Sequence, residues 1–433
     1  MKNNKFIKSV IILTIGSMIT KIISMLIKIV LARTLKTEGM GLYMLITPTF
    51  TLLMAIASLG FPVAVSKLVS EKKRNNKNLV FSLIPITLII NIIIILVLLI
   101  TSKYISYNLL HEKRCYYALL SIGFVLPFIS ISSLLRGYFF GKEKMIPHVI
   151  SNITEDLIRL IILMIFLPSY MKKGIEYAVA FVVLVNIISE LSSIIILFFF
   201  IPKKFKINIK DMKPNKKNII DTFNIAIPTT GSRIIGTIGF FLEPIILTYS
   251  LTKVGYTNKF IINEYGIISG YILPLILLPS FFTLAISEAL IPNISKAYVN
   301  NNYKSVSKKI KTAVFLSLLI GIPVTILFEL FPSIPMNIIY NTNKGITYLK
   351  ILAPIALLHY IQTPLTAALQ AMGKAKEAML GTLGGTMLRL ITLLFFSLMH
   401  IGMLGLIIAI STNIVYVTIH QLIKIKQILK KGL

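Results

Sequence analysis

Five polar residues share one face of the first apolar run. Thr14, Ser17, Lys21, Ser24 and Lys28 follow one another at intervals of 3, 4, 3 and 4. On a helix that spacing makes a single stripe, and Met18, Ile22, Met25 and Ile29 fall off it. Lys21 and Lys28 stand two turns apart, about 10 Å between their backbones. Two cations flanked by hydroxyls at that spacing suit an anionic ligand such as a diphosphate. The competing use of such lysines is to snorkel to an interface, and Lys28 lies nearer the outer end than Lys21.

The same chemistry recurs later in the chain. Thr230, Arg233 and Thr237 are spaced 3 and 4, again a cation on a hydroxyl-bearing face. Glu155 and Asp156 precede Arg159 by four and three positions, so a structural ion pair within one helix is expected. At the matching positions before Arg389 stand Gly385 and Thr386. Arg389 is therefore expected to find a carboxylate elsewhere or to face a wet, anion-accepting cavity. The candidate substrate-binding set is Ser17, Lys21, Ser24, Lys28, Arg233 and Arg389. Glu190, Glu243, Glu288 and Glu329 are single carboxylates near or within apolar runs, suited to an internal partner or to a coupling cation.

Other chemistries find no residues. Cys115 is the single cysteine, which excludes an intrachain disulfide and ligation of zinc or iron–sulfur by a cysteine cluster. His111, His148, His359, His400 and His420 are scattered and give no metal-site spacing. Gly141-Lys142 and Gly373-Lys374 lack the upstream glycine and following Ser or Thr of a nucleotide-cradling loop. No cofactor, metal, catalytic residue or ATP hydrolysis is expected. The short outer loops offer no acid/base pair in a sizeable pocket, so the chain does not read as an enzyme.

The elements that must position these residues follow from composition. Only 14% of the 433 residues are charged and 56% are hydrophobic, against roughly 25% charged in soluble domains. A bilayer is the solvent that such a chain suits. The net charge of +30 is distributed in short clusters between apolar runs, which is a topology signal and not a nucleic-acid face. Twelve runs are long enough to cross: 9–31, 42–66, 79–101, 116–139, 149–170, 176–200, 219–250, 266–292, 312–335, 347–372, 378–399 and 403–423. The stretch from Val10 to Leu31 is too long for a signal-peptide core and should remain as the first span. With the amino terminus inside, 28 of the 45 Lys and Arg fall in cytoplasmic segments and 10 in outer loops. That asymmetry puts both termini in the cytoplasm.

The halves also repeat. Arg159-Leu160-Ile161-Ile162-Leu163 recurs as Arg389-Leu390-Ile391-Thr392-Leu393 at a distance of 230, and Gly141-Lys142-Glu143-Lys144 as Gly373-Lys374-Ala375-Lys376 at 232. Pro48 matches Pro274, and Ser66-Lys67 matches Ser295-Lys296. The expected fold is all-α and integral to the membrane. Residues 1–200 form an amino-terminal six-helix lobe, 201–218 a basic cytoplasmic linker, and 219–433 a carboxy-terminal six-helix lobe. Six spans per half enter the membrane in the same direction, so the lobes should be related by a pseudo-twofold axis along the membrane normal, with a cavity between them.

The run Ala32-Arg33-Thr34-Leu35-Lys36-Thr37-Glu38-Gly39-Met40-Gly41-Leu42-Tyr43 and the run Gly60-Phe61-Pro62-Val63-Ala64-Val65-Ser66-Lys67-Leu68-Val69-Ser70-Glu71 are the most telling stretches. With Leu135-Arg136-Gly137-Tyr138-Phe139-Phe140-Gly141, they resemble the stage V sporulation protein B group. That group belongs to the polysaccharide-transporter branch of the multidrug/oligosaccharidyl-lipid/polysaccharide (MOP) flippase superfamily. The resemblance implies a two-lobe exporter of the bacterial cytoplasmic membrane working by alternating access, whose cargo is an anionic lipid-linked saccharide used in cell wall or spore cortex. Relatives that flip peptidoglycan lipid II place cations on the first helix, and Lys21 and Lys28 match that placement. This chain departs in stopping at Leu433, whereas relatives commonly carry two further helices, which in the lipid II flippases form a groove for the lipid tail. The alternative is a cation-coupled multidrug antiporter of the same architecture, which would want carboxylates and not lysines along its path. The expected partners are therefore the lipid-linked saccharide, membrane lipids and, for a coupled mechanism, a cation.

Overall fold

The structure, a computed structural model, describes residues 2–71, 76–201 and 216–430, with 2–11, 217, 232, 288, 289 and 292 described by backbone alone. Most of the expected linker, the basic residues Lys72, Lys73 and Arg74, and the Glu288 side chain lie outside the described residues. Inside a bilayer no water is at hand for the backbone, so long apolar runs close their hydrogen bonds internally as helices. The chain forms α1 (Lys2–Ala57), α2 (Phe61–Ser70), α3 (Asn76–Tyr104), α4 (Tyr116–Gly141), α5 (Met145–Lys173), α6 (Ile175–Phe200), α7 (Lys216–Lys253) and α8 (Asn258–Tyr265). It continues as α9 (Leu273–Ile276), α10 (Ser280–Val299), α11 (Tyr303–Leu330), α12 (Ser333–Tyr340), α13 (Ile346–Ala371), α14 (Ala375–Ser397) and α15 (Leu404–Lys430). Among the described residues there is no strand.

Among the described residues nine helices are long and apolar enough to cross a membrane, or ten when the bent pair Asn258–Ile276 and Ser280–Ser287 is taken as one broken span. Two features bring this into line with twelve spans. The first of those helices, Ile12–Ser70 with 59 residues, is broken at Lys36, whose φ of 56° and ψ of −168° leave helical space, so it is long enough for two spans. The second is α5, which with 29 residues is long enough to cross but carries Glu155, Asp156 and Arg159 along its length. Those three charges are met inside the protein and not by lipid, as described below.

The chain divides into two compact units, Met1–Pro244 and Ile245–Leu433. The division falls inside α7 and not at the basic segment 201–218. Its cause is the packing of the first half of α7 on α2: Phe223 meets Phe61 edge-on with ring centroids 5.7 Å apart, and Gly60 abuts the Ala226 carbonyl. Within each unit the same helix pairs recur. In the first, α4 packs on α2, α3 and α6, and α5 on α6; in the second, α13 packs on α10, α11 and α15, and α14 on α15. Each unit has its own apolar core at these contacts. Phe61, Leu79, Phe81, Leu134 and Phe139 lie in one, and Ile294, Val306, Leu365 and Leu369 in the other.

The turns before α5 and α14 confirm the repeat and adjust its register. Lys144 N donates to Phe139 O and Glu143 N to Phe140 O; Lys374 N donates to Leu369 O and Gly373 N to Gln370 O. Both are helix terminations with crossed 6→1 and 5→2 bonds, which need a left-handed residue just past the helix end. That residue is Glu143 (φ 56°) in the first unit and Gly373 (φ 73°) in the second. Glu143 therefore corresponds to Gly373 at a distance of 230, the distance that also relates Arg159 to Arg389. The match of Gly141 with Gly373 at 232 is one of letters and not of conformation.

Candidate functional site

The membrane part of α1 is divided lengthwise into three sectors. Gly16, Ile23, Ile27 and Leu31 are buried, and a Cβ at Gly16 would lie 2.5 Å from Val149 Cγ1 on α5, so the two helices meet there in close contact. Ile15, Met18, Ile19, Ile22 and Leu26 form an exposed apolar sector, as lipid requires. Between these lies the polar stripe, with Ser17, Lys21 and Lys28 exposed and Ser24 half-buried. The geometry thus keeps both lysines on one accessible strip whose edge is pinned to the packed face. The pin is Ser24, whose hydroxyl donates to Asp156 Oδ2 on α5 at 3.4 Å.

Asp156 belongs to a buried charge network. Arg159 Nη2 donates to Glu155 Oε1 at 2.6 Å and Nη1 to Asp156 Oδ1 at 3.4 Å. The other oxygen of Glu155 accepts from Arg136 of α4, whose Nη2 also reaches Ser193 Oγ on α6 at 2.8 Å and Glu190 Oε2 at 3.5 Å. Ser132 donates to Glu190 and Ser189 accepts from Arg159. Glu155, Glu190, Ser132, Ser189 and Ser193 are all buried. A charge this deep is tolerated only when paired and hydrogen-bonded. Here each guanidinium touches two carboxylates, and three carboxylates face two guanidiniums. The network ties α4, α5 and α6 together and, through Ser24, holds α1.

Arg233 and Arg389 occupy other surroundings. Arg233 is exposed on the first half of α7, where its Nη1 reaches Ser58 Oγ at 3.4 Å at the break between α1 and α2. Thr237 donates to the Arg233 carbonyl at 3.0 Å, while Thr230 is buried and bonds back to Ala226. Arg389 is half-buried on α14 in the second unit, and Thr392 donates to its carbonyl. The structure thus brings Ser24, Glu155, Asp156 and Arg159 together, keeps Lys21 and Lys28 on the same strip of α1, and sets Arg233 beside Ser58.

Spacing along the sequence does not by itself single out Arg136 and Ser132 or give Glu190 a partner. A signal was present: Ser132 and Arg136 are four apart, and Ser189, Glu190 and Ser193 fall on one helical face. What linear spacing does not supply is which helix faces which. A second polar face that spacing would have shown lies on α13, where His359, Gln362, Thr363, Thr366 and Gln370 recur at intervals of 3, 1, 3 and 4.

Comparison with known proteins agrees with this architecture. The family described as polysaccharide biosynthesis protein matches residues 6–298, and the MatE family matches 269–395. Stage V sporulation protein B of Bacillus subtilis (strain 168) is 34% identical over 99% of this chain and 85% of its own length. Lipid II flippase MurJ of the same organism is 22% identical over 90% of this chain and 77% of its own length. A solved structure of a multidrug resistance MATE family transporter of the MOP superfamily, in an inward-facing conformation, is 17% identical. It superposes with a TM-score of 0.76 and covers 98% of this chain and 99% of that one, a likeness of fold. A match of that length and a relative of that identity place this chain in the polysaccharide biosynthesis protein family, as a multi-pass MOP-superfamily transporter similar to stage V sporulation protein B.

Proposed function

We propose that this transporter moves an anionic lipid-linked saccharide from the inner to the outer leaflet of the cytoplasmic membrane by alternating access, with both termini in the cytoplasm. The observation that carries this reading is the accessible strip of α1 bearing Lys21 and Lys28 beside a separate apolar sector. Lipid has the apolar sector to contact, and a lysine within a span is costly unless it faces water or an anion. Similarity to a stage V sporulation protein and to a lipid II flippase supports the cargo class. Arg233 and Arg389 are the further cations proposed for the path. The test uses the purified full chain in liposomes with a fluorescent undecaprenyl-diphosphate-linked disaccharide, following its exposure to an impermeant quencher. Movement that is lost in the Lys21→Ala/Lys28→Ala double variant is the expected result, and no movement above protein-free liposomes overturns the reading.

One observation favours a second reading, a cation-coupled multidrug antiporter. Three carboxylates against two guanidiniums leave the network one negative charge in surplus when all are ionised, which a bound cation would neutralise. Against it, Glu155, Asp156 and Glu190 are all engaged by arginines. Drug efflux driven by an imposed proton or sodium gradient, with no movement of the lipid probe, would select it.

A further inference from the structure

A pocket of about 360 Å³ lies within the second unit between α10 and α13. Its α13 wall is His359, Gln362, Thr363, Thr366 and Gln370, and Ser287 lines it from α10. Its lining contains no Lys, Arg, Asp or Glu among the described residues. The size is at the lower end of ligand pockets, which run from about 300 to 1,000 Å³.

The polar groups are held in place from behind. Gln362 Nε2 donates to Ile414 O at 2.7 Å and to Thr418 Oγ1 at 2.8 Å on α15. Thr366 Oγ1 accepts from Gln421 Nε2 at 2.8 Å. Gln421 is only 1% exposed, yet its carbonyl oxygen has no partner among the described residues. Thr363 and Gln370 line the pocket without a side-chain bond to the rest of the described protein. Polar groups cost free energy in a membrane-spanning helix unless something bonds them.

The chemistry of the set selects its ligand. Amides, hydroxyls and an imidazole each offer donors, acceptors or both, and sugar hydroxyls are donors and acceptors at once. Among the described residues this lining offers an anion no lysine or arginine, and an aromatic cation no carboxylate and no phenyl, phenol or indole face. We propose that this pocket binds the uncharged, hydroxyl-bearing sugar rings of the cargo, with Thr363 and Gln370 bonding them directly and Gln362 positioned by α15. The assignment rests on the saccharide-flippase reading and gives the uncharged sugar part of the headgroup to this neutral face of the second unit.

The test is equilibrium binding by the full chain in nanodiscs of two probes, undecaprenyl diphosphate and the same diphosphate bearing a disaccharide. Wild-type protein should bind the sugar-bearing probe more tightly. Thr363→Val and Gln370→Leu break no hydrogen bond among the described residues, so their thermal midpoints should match wild type. Each should weaken the sugar-bearing probe by about three- to ten-fold and leave the bare diphosphate unchanged. Equal wild-type affinity for the two probes overturns the pocket assignment and leaves the flippase reading standing, as does a variant effect that is the same for both probes or absent from both. Binding of neither probe by wild-type protein overturns the flippase reading and the assignment with it.

Discussion

Ser24 on α1 donates to Asp156 on α5 at 3.4 Å, across 132 residues of sequence. That bond joins the strip carrying Lys21 and Lys28 to the charge network around Arg159, so the cations proposed to meet the cargo and those paired inside the first unit are distinct but mechanically connected. The two groups should respond differently to substitution.

Lys21→Ala and Lys28→Ala should each abolish complementation of a null strain while membrane abundance stays at the wild-type level, because both side chains are exposed and neither lies on the packed sector. Replacement by Arg should retain function better than replacement by Gln, by about ten-fold in transport rate, the scale of one charge-assisted contact. Quantitative membrane blots alongside transport in liposomes check this. Gln performing as well as Arg would remove charge from the explanation.

The network should follow its charge balance. Arg136→Gln leaves Glu155 and Glu190 without a shared cation and should destabilise the fold by about 3–5 kcal/mol, the order for removing one partner of a buried pair. Glu190→Gln removes the surplus negative charge, keeps an oxygen that can accept from Ser132, and should change stability by no more than about 1 kcal/mol. Thermal unfolding in detergent separates the two; equal losses would mean that the charges are not acting as one network.

The two repeat-related arginines should also differ. Neutralising Glu155 and Asp156 together strands Arg159 and should cost a few kcal/mol, roughly 3–5. Arg389→Gln strands no carboxylate one turn away in its own helix, where Gly385 and Thr386 stand, and should leave the fold intact while lowering transport. Unfolding in the Arg389→Gln variant together with a stable double variant would reverse the two roles.

A fourth expectation concerns the turns. Glu143 holds a left-handed conformation at φ 56° where its counterpart Gly373 has φ 73°. Glu143→Gly should raise stability and Gly373→Ala should lower it, each by about 1 kcal/mol, since a side chain is disfavoured in that region. Differential scanning of the purified variants reads both signs, and the same sign for both would contradict the shared turn geometry.

Spacing along one helix was enough to place the lysines on one strip and to pair Glu155 and Asp156 with Arg159, because helical geometry alone decides which residues share a face within a turn or two. The long apolar runs, the short polar breaks and the recurrence at 230 residues likewise specify helices and a repeat, since a bilayer leaves the backbone few alternatives. Which faces meet was decided by tertiary packing. Arg136 and Glu190 stand 19 and 35 residues from Glu155, and only the contacts of α4, α5 and α6 bring all three carboxylates to the two guanidiniums. The polar face of α13 becomes a pocket for the same reason. A helix rotated by a third of a turn would present different residues to its neighbours at the same local energy, so the choice of face is made by the side chains of other helices and not by its own sequence.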